Sequence, residues 1–257
     1  MNNRLLVTAV GAAAMAVTGC AYQGSNYGHH AQPTYNPYGG TATHYRGQTS
    51  NVSPTRLEFD LSYEDFVDGN IVDAGTVLGA NTSADLAYKD AFKPGYRASV
   101  GLARDFRPNT TFLAKGFYQQ ADGEDGVTVA TNGGGNVNAN FSDYKSYGAE
   151  LGLRQYLGQP QSRLRPYVGA TVGAAFIDDI SIDNGGPATV INDSGWSATA
   201  SATGGFEVPL SQTASFAVES GVRWTDAQDR SAFGTAALGD DNSRLSVPVT
   251  LRGRFRF

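Results

Sequence analysis

From about residue 55 onward, apolar and polar side chains alternate one by one in eight runs. They fall at roughly 55–66, 96–106, 110–120, 144–157, 165–177, 195–209, 214–225 and 244–257. A period of two is the pattern of an extended strand with one apolar and one polar side. The last run, VPVTLRGRFRF, shows it plainly. Val247, Val249, Leu251, Gly253, Phe255 and Phe257 share one side, and Arg252, Arg254 and Arg256 share the other. The connections alternate in length. Three are short, "RPN", "GQPQSR" and "LSQT"; four are long, Asp- and Gly-rich, and read as loops at about 67–95, 121–143, 178–194 and 226–243. An even strand number, with short turns at one end and long loops at the other, predicts an all-β fold. The expectation is an eight-stranded antiparallel up-and-down transmembrane β-barrel.

Aromatic residues sharpen that reading. On the apolar faces, Tyr63, Tyr96, Tyr118, Tyr147, Phe176, Trp196 and Trp224 lie toward the long loops. Phe106, Phe112, Phe206, Phe216, Phe255 and Phe257 lie toward the short turns. Amphipathic rings favour the two interfaces of a bilayer, so two girdles are predicted. Tyr96 and Phe106, like Trp196 and Phe206, are ten residues apart in the sequence. In a strand tilted near 45° that separation covers roughly 24 Å, the height of an apolar band.

The opposite faces hold nearly all the strand charge. Their acids are Glu58, Asp60, Glu64, Asp105, Glu150, Glu207 and Glu219, and their bases include Arg97, Lys115, Arg154, Arg223 and Arg252. Arg104 alone falls on the apolar face, beside Phe106, where a long side chain can snorkel to an interface. Barrel closure makes the first and last strands neighbours. Lumen ion pairs are therefore expected between Glu58 and Asp60 on one side and Arg252, Arg254 and Arg256 on the other.

Composition agrees with many turns and strands. Charged residues make up only 17% and there are 32 glycines, against an ordinary quarter charged. A mean hydropathy of -0.30 argues against a helical membrane bundle, but a barrel hides half of its strand residues in polar positions. At the start, Arg4 and the apolar run Leu5 to Val17 read as an export signal, too short to span as a helix. The run ends in Val-Thr-Gly-Cys, similar to the bacterial lipobox, so Cys20 is the expected lipidation site. Residues 1–19 then form the signal peptide, 20–53 a lipidated disordered tether rich in Gly, Asn, Gln, Pro and Tyr, and 54–257 the barrel.

With these segments, the chain resembles the small outer-membrane β-barrel proteins of Gram-negative bacteria, of the OmpA-transmembrane-domain and OmpX type. The resemblance covers about residues 54–257. It is carried by the terminal strand with Gly253, Phe255 and Phe257, and by RPYVGATVGAAF and GAELGLRQYL. It implies that Gly253, Phe255 and Phe257 act as an assembly signal read by the barrel assembly machinery. The family lacks a lipobox as a rule, and no peptidoglycan-binding pattern follows the last strand here.

Chemistry is sparse. All three histidines, His29, His30 and His44, lie in the tether, so the barrel offers no histidine base. DGEDG and DNGG are incomplete as calcium loops. The four long connections nonetheless hold sixteen acids against Lys89, Lys93 and Arg230. Asp178, Asp179 and Asp183 are the candidate metal ligands, for Ca2+ or Mg2+, and no other cofactor is expected. The functional expectation is a non-enzymatic outer-membrane protein with a structural or surface-interaction role through acidic extracellular loops, the tether being periplasmic. A narrow porin-like channel is the alternative, and a lipid-modifying enzyme ranks third. Expected partners are outer-membrane lipid and lipopolysaccharide, with no nucleic acid and a monomeric state.

Overall fold

The computed structural model describes residues 55–72, 77–78, 81–83, 85–107, 109–132, 135–158, 162–211, 213–228 and 243–256. The signal segment, Cys20, the tether and Phe257 lie outside the described residues, as do Asp73, Asp229, Arg230, Asp240 and Asp241.

Strand β1 runs Arg56–Asp68 and is followed by β2 (Asn70–Val72), β3 (Val77–Leu78), β4 (Asn81–Ser83), β5 (Leu86–Ala87) and one helical turn at Tyr88–Ala91. Next come β6 (Gly95–Arg107), β7 (Thr110–Ala121), β8 (Val127–Asn132), β9 (Gly135–Phe141) and β10 (Tyr144–Tyr156). The chain continues through β11 (Arg165–Ile177), β12 (Ile180–Asp183), β13 (Thr189–Asn192), β14 (Gly195–Pro209), β15 (Ala214–Thr225) and β16 (Arg244–Arg256). The eight long strands, β1, β6, β7, β10, β11, β14, β15 and β16, pair antiparallel in chain order, and β1 with β16 closes the barrel. Closure leaves the barrel wall without an edge.

Alternation puts polar residues inside and apolar residues outside. Along β1, Glu58, Asp60, Ser62 and Glu64 are buried while Phe59, Leu61 and Tyr63 are exposed. Eight strands enclose a narrow interior, so bulky inward side chains need small neighbours. A Cβ on Gly101 would lie 2.5 Å from Lys115 Cγ, and one on Gly205 would lie 2.7 Å from Glu219 Cβ. Glycine is what lets those two charged side chains rise from the wall.

The long connections differ from the expectation of loops. Six of their short strands form a second sheet in the order β13-β12-β9-β8-β4-β3, and β2 pairs with β5. Beneath them lies an apolar core that includes Phe66, Tyr88, Phe92, Phe141, Ile177 and Ile180. The strands of two or three residues are too short for a period of two to register. β8 and β9 do alternate, with Val127/Val129 and Val137/Ala139/Phe141, but within Gly-, Asn- and Asp-rich surroundings that resemble solvated loops. Their isolated Ile, Phe and Leu residues find cover only when the connections meet at the end of the barrel.

Candidate functional site in the lumen and at the barrel ends

The lumen is filled by charge. Six carboxylates, on Glu58, Asp60, Glu64, Glu150, Glu207 and Glu219, and six guanidinium groups, on Arg97, Arg154, Arg223, Arg244, Arg252 and Arg254, are all buried. The seam between β1 and β16 places Glu58 opposite Arg254 and Asp60 opposite Arg252. Arg254 Nε donates to Glu58 Oε1 at 2.6 Å, and Arg252 Nε donates to Asp60 Oδ1 at 2.6 Å. Arg256 is exposed at the rim, opposite Arg56.

Other pairs cross between strands that are not neighbours. Arg154 on β10 grips Glu58 on β1 with both terminal nitrogens, at 2.9 and 3.1 Å. Lys115 on β7 reaches Asp60 at 2.8 Å. Arg223 on β15 donates to Glu64 at 2.6 Å, and Arg97 on β6 donates to Glu150 on β10 at 2.6 Å. Arg252 also holds Glu219 through two bonds of 2.8 and 2.7 Å. Apart from Arg252–Glu219, which joins the neighbouring strands β16 and β15, these contacts act as struts across the barrel, and charge-assisted forks of this kind are strong and directional. A cavity of about 20 Å³ near the middle, bordered by Lys115, Glu150 and Arg252, has room for about one water.

Aromatic side chains complete the packing, and the sequence reading passed over them. Tyr156 and Tyr167 donate their hydroxyls to Glu207 at 2.5 Å and Glu219 at 2.9 Å. The Arg97 guanidinium lies 3.4 Å from the centre of the Phe117 ring. Toward the loops, Arg244 bonds the Tyr144 hydroxyl and lies over the Tyr144 ring. The signal was available in parity. Tyr156 stands at the same inward parity as Glu150 and Arg154, and Tyr167 at that of Arg165.

The remaining candidate residues are dispersed. Gly253 lies in the seam, paired with Phe59, and Phe255 is exposed on the outer face with its ring 6.2 Å from that of Phe59. Asp178 and Asp179 follow β11, while Asp183 ends β12 and accepts from the Gly185 amide at 2.8 Å. Among the described residues, no three His, Cys, Asp or Glu side chains gather as a metal site.

Outside, the wall presents a broad apolar belt. Val100, Leu102, Leu151, Val172, Val222 and Leu251 are each about half exposed across its middle. Trp196, Tyr96 and Tyr63 stand toward the loop end, and Phe106, Phe206 and Phe255 toward the short turns. Arg104 is exposed among them. Continuous apolar surface of this extent is far beyond what a soluble monomer exposes.

No protein-family model and no curated protein matches the chain. Among solved structures, it is similar to Neisserial surface protein A, with 15% identity and a TM-score of 0.45, over 80% of this chain and 99% of that one. It is similar to the outer membrane protein OprG of Pseudomonas aeruginosa, with 15% identity and a TM-score of 0.46, over 80% and 98% of the two chains. For Ail, the attachment invasion locus protein of Yersinia pestis, the values are 10% identity, a TM-score of 0.41, and coverage of 80% and 100%.

Proposed function

We propose that this chain is a non-enzymatic outer-membrane barrel whose role is structural or surface-interacting and is exercised at its loop end. The observation that carries this reading is the interior of six buried carboxylates and six buried guanidinium groups. Five of the guanidinium groups are ion-paired with those carboxylates, while Arg244 bonds the Tyr144 hydroxyl. A solute passing through the lumen would have to break several desolvated ion pairs at once, each costly to separate. The apolar core at the loop end lies in series with them. Catalysis has little to work with, because the lumen carboxylates are engaged by Arg and Lys and the barrel sequence has no histidine. The apolar outer belt is the surface that bilayer hydrocarbon covers, and the apolar run before Cys20 supports export.

The loop end then supplies the face that meets a partner. Asp90, Asp122, Asp125, Asp143, Asp179 and Asp193 are exposed there. That surface favours cationic partners, or lipopolysaccharide approached through bridging cations. The test is conductance. Refolded protein in a planar bilayer is expected to give no steady current, and in cells the chain should fractionate with the outer membrane. Large, steady unitary currents would overturn the closed-lumen reading in favour of the channel.

A further inference from the structure

The short-turn end of the barrel carries a cavity of about 150 Å³, walled by Arg56, Arg165, Arg254, Arg256 and Glu207. Its remaining side is formed by Pro209 of β14, Ser211, Thr213, and Ala214 and Ser215 of β15. Strand register brings these groups together. Arg56 stands opposite Arg256, Arg165 opposite Glu207, and Ser215 opposite Arg254. Four guanidinium groups thus face one carboxylate. Like charges directly opposite on neighbouring strands destabilise a sheet unless something offsets them.

The existing acids leave this cluster short of acceptors. Asp105 holds Arg56 at 2.8 Å, and Glu58 takes Arg254 Nε at 2.6 Å. Glu207 accepts the Tyr156 hydroxyl, stands 3.6 Å from Arg165 Nη1, and lies 3.3 Å from Arg254 Nη1 without hydrogen-bond geometry. Both terminal nitrogens of Arg254, which is 2% exposed, lack a hydrogen-bond partner, and so does Arg165 Nε. Buried charged donors without acceptors are costly, and each calls for a bound group that the protein itself does not supply.

The number of donors selects the anion. A carboxylate satisfies one guanidinium fork. A phosphate presents several oxygens at tetrahedral angles and carries one to two charges, which suits several planar forks converging from different walls. The cavity is several times the size of a water and admits such a group with its hydration. The hydroxyls of Ser211 and Thr213 are hydrogen-bonded to each other at 3.2 Å, which leaves one O–H of the pair as a neutral donor at the wall. We propose that this cavity is a phosphate-binding site, taking inorganic phosphate or the phosphodiester of a lipid headgroup from the leaflet at that end. It lies at the opposite end from the acidic connections, so its failure leaves the reading of the loop end standing.

The experiment uses the full chain refolded in a phosphate-free amine-oxide detergent. Calorimetry is run with inorganic phosphate and, separately, with monomeric dihexanoyl phosphatidylglycerol. Saturable one-site binding is expected in at least one arm, weakened roughly tenfold or more in Arg165→Gln and in Arg256→Gln, the loss of one charge-assisted contact. Arg107→Gln, at an exposed arginine of the same end that does not line the cavity, should bind as wild type. Arg256 is itself exposed, so its variant carries the test if Arg165→Gln does not refold. Saturation by phosphate alone assigns the free ion, saturation by the lipid alone assigns the headgroup, and both together support the shared phosphate chemistry. No saturation in either arm, or equal binding by wild type and both cavity variants, overturns the proposal.

Discussion

In the lumen, Arg252 is 2% exposed between the carboxylates of Asp60 and Glu219. At the loop end of the same barrel, Phe92 is equally buried among the rings of Phe66, Tyr88, Phe141 and Tyr144. The two interiors are equally closed to solvent and are built from opposite chemistry. On the membrane reading the reason is the outer medium. Where lipid surrounds the wall, an apolar interior would gain nothing from water's exclusion, and the wall is held by its own backbone hydrogen bonds. The polar face then points inward and has to neutralise itself. Where the short strands rise beyond the barrel, the ordinary hydrophobic effect returns and an apolar core forms.

The two interiors should fail differently. An ionic core depends on named partners, so removing one member strands the others. Arg252→Met leaves Asp60 and Glu219 short of their main partner and should cost about 3–5 kcal/mol. The barrel should lose its heat-modifiable gel mobility at a distinctly lower temperature. Adding Asp60→Asn and Glu219→Gln to that variant should recover much of the loss. If Arg252→Met melts like wild type, the lumen is not the interlocked ionic core described and the contrast collapses.

An apolar core loses area and gains a cavity, without leaving a charge behind. Phe92→Ala should cost about 3 kcal/mol, confined to the second sheet and the helical turn. Hydrogen exchange and limited proteolysis should accelerate at the loop end while the gel mobility transition of the barrel stays in place. A matching fall in the barrel transition would mean that the two cores unfold as one cooperative unit. The smallest effect should come from Lys93→Ala. Its pair with Glu124 is 3.9 Å long and about half exposed, so its removal should shift loop-end stability by less than about 0.5 kcal/mol. A larger change would show that surface charge, and not apolar packing, holds that end.

Much of the barrel was legible because alternation is a local property. The eight runs predicted from period two match strands such as Gly195–Pro209 and Ala214–Thr225, and the inward acids and arginines follow from parity alone. The second sheet was not legible. β12 and β13 have four residues each, too few to declare a period, and acidic, Gly-rich surroundings resemble solvated loops. Tyr156 and Tyr167 were passed over because an aromatic residue at lumen parity looks like an exception until a carboxylate is found against its hydroxyl.

By itself, then, the sequence determined which side chains of the barrel wall share a face, that the barrel has eight strands, and that polar faces meet across a closed seam. Only the tertiary structure decided that Arg154 grips Glu58 from three strands away, that β12 finds β9, and that four arginines surround one cavity at the short-turn end. The division has a physical cause. Facing within a strand is set by backbone geometry every two residues, whereas contact across a lumen depends on stagger and side-chain reach, which exist only after the ring has closed.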